Sequence, residues 1–212
     1  MARYPEPGRV KTRLARVLGA AAAAELYRAF VLDLADRLVG LPYPVTWAID
    51  PPAAPFATLV PGARCRAQGE GDLGARMARS FAVEFAAGPG PVAIIGADAP
   101  HLPADALTET AVALGREADV VLGPAEDGGY YLIGLARPTP ALFTGIPWST
   151  SAVLAATVAS AEAAGLRTHL LPRSFDVDKP GDIARLAALL AGGDMDLPRT
   201  AALLPGLRSV GS

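Results

Sequence analysis

The run Pro91 to Gly96 (PVAIIG) is apolar at every position, with no alternation between its faces. A strand reads this way when helices cover both sides of its sheet, so PVAIIG is expected to be a central strand of an α/β fold. The rest of the chain alternates in the same sense. Apolar residues at helical spacing mark Val10, Leu14, Val17 and Leu18, then Leu26, Phe30, Leu34 and Leu38, then Leu73, Met77, Phe81 and Phe85. Further helices are predicted near 104–114, 151–164 and 181–190. Strand-like runs fall between them at Pro44 to Ile49, Ala63 to Ala67, Asp119 to Gly123, Tyr130 to Leu135 and Thr168 to Leu171. This order predicts a three-layer, Rossmann-like α/β fold, a mostly parallel sheet with helices on both faces.

With 212 residues and 51% hydrophobic content, the chain is the size of one domain, expected over 1–192. Residues 193–212, rich in Gly, Pro and Leu, read as a loosely docked tail. A formal net charge of −2 supplies no basic field to hold a nucleic-acid backbone. Cys65 is the only cysteine, which excludes an internal disulfide, and with two histidines it leaves little for zinc. A reducing cytoplasm fits that usage. The apolar run near Ala20 to Ala24 ends too soon, at Glu25 and Arg28, for a signal peptide, and no stretch reaches the roughly 18 apolar residues that span a bilayer. A soluble, cytoplasmic protein is expected.

Several segments carry candidate chemistry. PEPGRVKTRL places Lys11 and Arg13 in the opening turn of a helix, where the macrodipole normally favours carboxylates. Such a local violation suits a bound diphosphate or triphosphate, although a solvated basic face would look the same. Asp98, in GADAP, lies just beyond the carboxyl end of the PVAIIG strand, where open α/β sheets bind ligands. It is a candidate ligand for magnesium or manganese, which take hard oxygens, and alternatively a turn cap. In SFDVDKPGDI, Asp176 and Asp178 are two apart on an extended segment, so both side chains point the same way and can reach one ion. Asp178 also reads as a helix N-cap before Pro180, with Asp182 complementing the dipole.

GPAEDGGYYLIGL holds Asp127, Gly128 and Gly129 between two apolar runs. Asp-Gly and Gly-Gly are hairpin signals; equally, a glycine-lined backbone lets a substrate approach while Asp127 binds or deprotonates a hydroxyl. In QGEGDLGARM, Asp72 reads as an N-cap, and Gly74, a poor helix residue, permits close approach. Trp148 in PWST offers a ring for stacking, or a core residue with Ser149 or Thr150 capping the next helix. His101 and His169 carry no visible partner in the sequence, and Cys65 reads as a small core residue.

Taken in order, PEPGRVKTRL, QGEGDLGARM, GADAPHL, GPAEDGGYYLIGL, PWST and FDVDKPGD resemble the successive motifs of a bacterial glycosyltransferase family, often labelled arsenosugar-biosynthesis glycosyltransferases. The resemblance covers nearly the whole chain and places it in the nucleotide-diphospho-sugar transferase superfamily, with a fold of the GT-A type. Related nucleotidyltransferases include the guanylyltransferase that acts on phospholactate. The resemblance implies Lys11 and Arg13 on phosphate, with Gly8 in the same loop, and Asp98, Asp176 and Asp178 on a magnesium or manganese ion. Further candidate nucleotide contacts are Gln68, Gly69, Asp72, Gly128, Gly129 and Trp148, and Asp127 is the candidate on the acceptor side. The expected reaction is glycosyl transfer from a nucleotide-sugar to a small-molecule acceptor. The alternatives are nucleotidyl transfer from a nucleoside triphosphate and, in another class, non-catalytic nucleotide binding. Proteins of this pattern carry a short strand before the basic loop, and Met1 to Tyr4 leaves little room for it, so the first strand is expected to be missing or truncated.

Overall fold

The computed structural model describes residues 1–208 except 53, 104 and 194. Two compact units emerge: Met1–Ala67 with Ala97–His101 and Val177–Ser212, and Gln68–Gly96 with Leu102–Asp176.

The first unit is built on a parallel sheet ordered β1 (Ala2–Arg3), β2 (Thr46–Asp50), β3 (Arg64–Ala67). The first strand is present but only two residues long, pairing Ala2 with Ile49 and Arg3 with Asp50. Its remaining polar groups find partners despite that length. Tyr4 N–H donates to Asp50 O, Arg3 N–H to the Tyr27 hydroxyl, and Ala97 N–H to Met1 O. Helix α1 (Thr12–Leu18) turns at Gly19, at φ +85°, into the long helix α2 (Ala20–Val39). α2 buries Leu26, Phe30 and Leu34 as the fourfold spacing predicts, and Tyr27 and Val31 beside them, while Leu38, the last of the predicted face, is only partly buried. Trp47 on β2 packs at 5.1 Å on Phe56, in the one-turn helix α3 (Phe56–Leu59).

Helices α7 (Pro180–Ala191) and α8 (Pro198–Arg208) complete this unit. Much of the expected loose tail is therefore a docked helix; its residues 194 and 209–212 lie outside the described residues. The reason is Asp33, whose side chain is fully buried on α2 and accepts backbone N–H groups from Arg199 (3.2 Å) and Thr200 (2.8 Å). A carboxylate from another helix thus caps α8, whose own leading residue is proline. Replacing Asp33 with alanine is expected to destabilise the protein by about 3 kcal/mol, since two donors lose their acceptor together. A urea midpoint unchanged in D33A would remove this cap from the account.

The second unit holds a four-stranded sheet ordered β4 (Val92–Ile95), β6 (Tyr130–Leu135), β5 (Val120–Pro124), β7 (Thr168–Leu170). Two expectations change here. PVAIIG forms β4 at the end of this ladder, whereas the fully buried strands are β5 and most of β6. An unbroken apolar run fixes neither a strand's burial nor its place in the order: in β4 Ala93 is exposed and Val92, Ile94 and Ile95 are only partly buried. The sheet is also mixed, because β6 runs antiparallel to both β4 and β5. The link from β5 to β6 is too short for a crossover, and a tight turn joins only antiparallel strands. Helices α4 (Leu73–Ala87), α5 (Ala106–Arg116) and α6 (Val153–Ala163) belong to this unit, with Phe81 of α4 stacked 5.6 Å from Phe143. Residue 104, at the predicted start of α5, lies outside the described residues. No helix among those described is long and apolar enough to cross a membrane.

Candidate functional site

The chemistry of the first unit converges on Lys11. Its Nζ lies 2.7 Å from Asp98 Oδ1 and 2.9 Å from Asp178 Oδ1, with its side chain 2% exposed against 52% and 39% for the two aspartates. The ammonium is sheltered while each carboxylate keeps an open side. Three pieces of local structure produce this arrangement. Lys11 adopts a left-handed backbone (φ 46°, ψ 46°), a conformation that costs a non-glycine residue about 1 kcal/mol and concentrates at functional sites. Asp98 follows Ala97, which is tied to Met1 O, and Asp98 O accepts Val177 N–H at 3.3 Å, bringing the segment that leads to Asp178 alongside. Arg37 of α2 donates to Pro100 O, anchoring the same segment from the other side.

Asp178 is free for this role because it does not cap α7. Lys179 is the N-cap residue, Pro180 opens the helix, and Asp182 Oδ2 accepts the N–H groups of Asp178 (3.0 Å) and Lys179 (2.8 Å). Sequence spacing alone does not separate these duties. Burial by itself would lower the Lys11 pKa, but the charges of Asp98 and Asp178, with hydrogen bonds to both, raise it above its ordinary 10.5. The rings of Tyr27 and Phe30 stand 5.9 and 6.0 Å from Nζ. Their quadrupoles reinforce a site selective for positive charge. Burial, and then the charge of Asp98, push the Tyr27 phenol well above its usual range. The sequence carried Phe30 only as part of the apolar face of a helix and did not single out Tyr27.

Arg13 lies at the exposed rim, with Nη1 3.8 Å from Asp178 Oδ2, and Gly8, at φ +80°, shapes the preceding loop. Asp176 belongs to the other unit, and the chain bends at Val177, interrupting the extended geometry on which a common orientation of Asp176 and Asp178 rested. Among the described residues no group of three or more His, Cys, Asp or Glu side chains is gathered as a metal cluster. Asp98 and Asp178 are gathered as a pair. Two partly exposed carboxylates aimed at one cation fit the donor set of magnesium or manganese, which commonly take one or two carboxylates and complete their shell with phosphate and water.

In the second unit, Asp127, Gly128 and Gly129 form the turn between β5 and β6. Gly128 N–H donates to Ala125 O, and Asp127 Oδ1 accepts Gly129 N–H at 2.9 Å. Asp72 caps α4 by accepting Ala75 N–H at 2.8 Å, as its position predicts. Gln68 is buried, its carbonyl accepting Arg79 Nη1 at 2.8 Å, and the Arg79 guanidinium fills the place where a Cβ on Gly69 would sit. Gly74 does permit a close approach, of a protein group: a Cβ there would stand 2.4 Å from Trp148 Nε1. Thr150 Oγ1 ties the PWST turn, donating to Pro147 O and accepting Ala152 N–H, while Ser149 is left-handed.

A family model described as an uncharacterized protein conserved in bacteria (DUF2064) matches residues 39–150. The chain belongs to this family. The matched span of this DUF2064 protein includes Asp98, the Asp127 turn and Trp148, while Lys11 and Asp178 lie outside it. The fold is similar to that of a crystal structure of a "putative nucleotide-diphospho-sugar transferase" from Desulfovibrio desulfuricans G20, with a TM-score of 0.92 and 35% identity. That likeness covers 99% of this chain and 93% of the other. No curated protein matches the DUF2064 chain.

Proposed function

We propose that this protein is a metal-dependent transferase of the GT-A type that moves a glycosyl group from a nucleotide-sugar to a small-molecule acceptor in the cytoplasm. The observation that carries the reading is the pair of partly exposed carboxylates, Asp98 and Asp178, converging on one cation. The likeness to a nucleotide-diphospho-sugar transferase supports the donor class. In such a transfer the acceptor oxygen attacks the anomeric carbon, the bond to the nucleoside diphosphate breaks, and negative charge grows on the departing phosphate. Asp98 and Asp178 would hold a magnesium or manganese ion, which when bound would supply Lewis-acid neutralisation of that charge. Arg13, with an exposed guanidinium beside Asp178, binds phosphate oxygens from the rim. In the donor-free protein Lys11 sets the spacing of the two carboxylates. Asp127 is our candidate for orienting or deprotonating the acceptor hydroxyl, with Asp176 a further metal-ligand candidate on family resemblance alone.

Nucleotidyl transfer has less support, since the likeness of fold is to a nucleotide-diphospho-sugar transferase. A thermal-shift comparison with manganese decides between the two. A nucleotide-sugar at about a hundredfold excess over Kd adds roughly 2.7 kcal/mol, or about 5–10 °C in Tm. We expect that rise with manganese and its loss with a chelator. A rise with nucleoside triphosphates alone would replace the glycosyl reading with nucleotidyl transfer.

A further inference from the structure

We propose that Lys11 is a built-in counter-cation: its ammonium occupies the Asp98 and Asp178 pair in the donor-free protein and releases it when a divalent ion arrives together with phosphate. The inference rests on the metal role proposed above for the two aspartates. The ammonium bonds Oδ1 of both carboxylates, 2.7 and 2.9 Å away, so it already neutralises the two groups that would hold the ion. A second cation on the same carboxylates meets the repulsion of a charge only a few ångströms away. Nor is release to water easy. The Lys11 side chain is 2% exposed, its backbone is left-handed, and two aromatic rings lie about 6 Å from Nζ.

Phosphate oxygens change that balance, because they offer the ammonium charge-assisted acceptors in exchange for the carboxylates. A bare divalent ion therefore competes with a resident lysine, whereas an ion carrying a diphosphate brings the lysine a new partner. Metal binding becomes conditional on donor binding, and idle occupancy of the carboxylates is suppressed.

The chain has only two lysines, Lys11 and Lys179, so selective labelling isolates the side chain in question. In wild-type protein carrying 13C at lysine Cε, the Lys11 signal should hold its position with magnesium alone and move with magnesium plus inorganic pyrophosphate. Lys179 serves as the internal reference. In parallel, manganese affinity is measured by electron paramagnetic resonance for wild type, K11M, D98N and D178N, each verified as folded by circular dichroism. Removing a resident competitor that occupies most molecules should tighten manganese binding in K11M by roughly tenfold or more. A K11M affinity no better than wild type, with D98N and D178N still abolishing binding, overturns the counter-cation role and leaves the metal site standing. Manganese binding indifferent to D98N and D178N overturns both. If K11M does not fold, the wild-type spectrum decides alone: a Lys11 signal that stays fixed with magnesium pyrophosphate, or moves equally with magnesium alone, overturns the inference.

Discussion

Asp98→Asn is expected to lower metal-dependent turnover of a nucleotide-sugar by about a hundredfold or more while leaving the melting temperature within a few degrees of wild type. The first effect follows from losing one of two anionic oxygen ligands where charge develops on the leaving group. The second follows from what asparagine keeps: similar volume, the backbone carbonyl that accepts Val177 N–H, and Asp178 still 2.9 Å from Lys11. The buried ammonium retains a partner, so the several-kcal/mol penalty of an orphaned internal charge does not arise. Steady-state assays with manganese, paired with thermal melts, separate the two. Turnover that survives in D98N with normal stability would take Asp98 out of the chemistry.

Gly128→Ala is expected to destabilise the second unit by roughly 3 kcal/mol or more. Gly128 sits at φ +90°, and a Cβ there would stand 2.1 Å from Ser151 O and 2.7 Å from its carbonyl carbon. Those atoms are backbone, so no rotamer change relieves the clash. The turn is also pinned by Leu154 N–H donating to Gly128 O at 2.8 Å, which couples any shift to the start of α6. Gly129→Ala is the control, because its nearest neighbour is Asp127 Oδ1 at 3.2 Å, the end of a side chain. Urea unfolding of both variants tests the contrast, and equal midpoints would show that the turn has slack that this geometry does not suggest.

The element sequence was legible because amphipathic periodicity is a local property. Tyr130–Leu135 forms a strand over the predicted residues, and α4 buries Met77 and Phe81 where their spacing placed them, while Leu73 at its first position is exposed. Asp72 as N-cap was legible for the same reason, since a cap and its N–H partner lie within one turn. Helix α8 was not, because its proline-rich and glycine-rich sequence gives little local preference and its cap comes from Asp33, far away in the chain. The end position of β4 was also hidden, because strand order depends on non-local pairing.

At the candidate site, the residue types were readable and their assembly was not. The sequence by itself determined that Lys11, Arg13, Asp98 and Asp178 stand at loop and helix-entry positions of an α/β chain, where turn chemistry and strand ends concentrate polar groups. Only the tertiary structure decided that Asp182 takes the capping duty, that Asp178 turns instead to Lys11, and that Lys11 lies buried between carboxylates rather than on an open basic face. The physical reason is the range of the forces involved. Caps and periodicity act over a few residues, whereas an ion pair spanning 167 positions exists only after the sheet and α2 bring its members together.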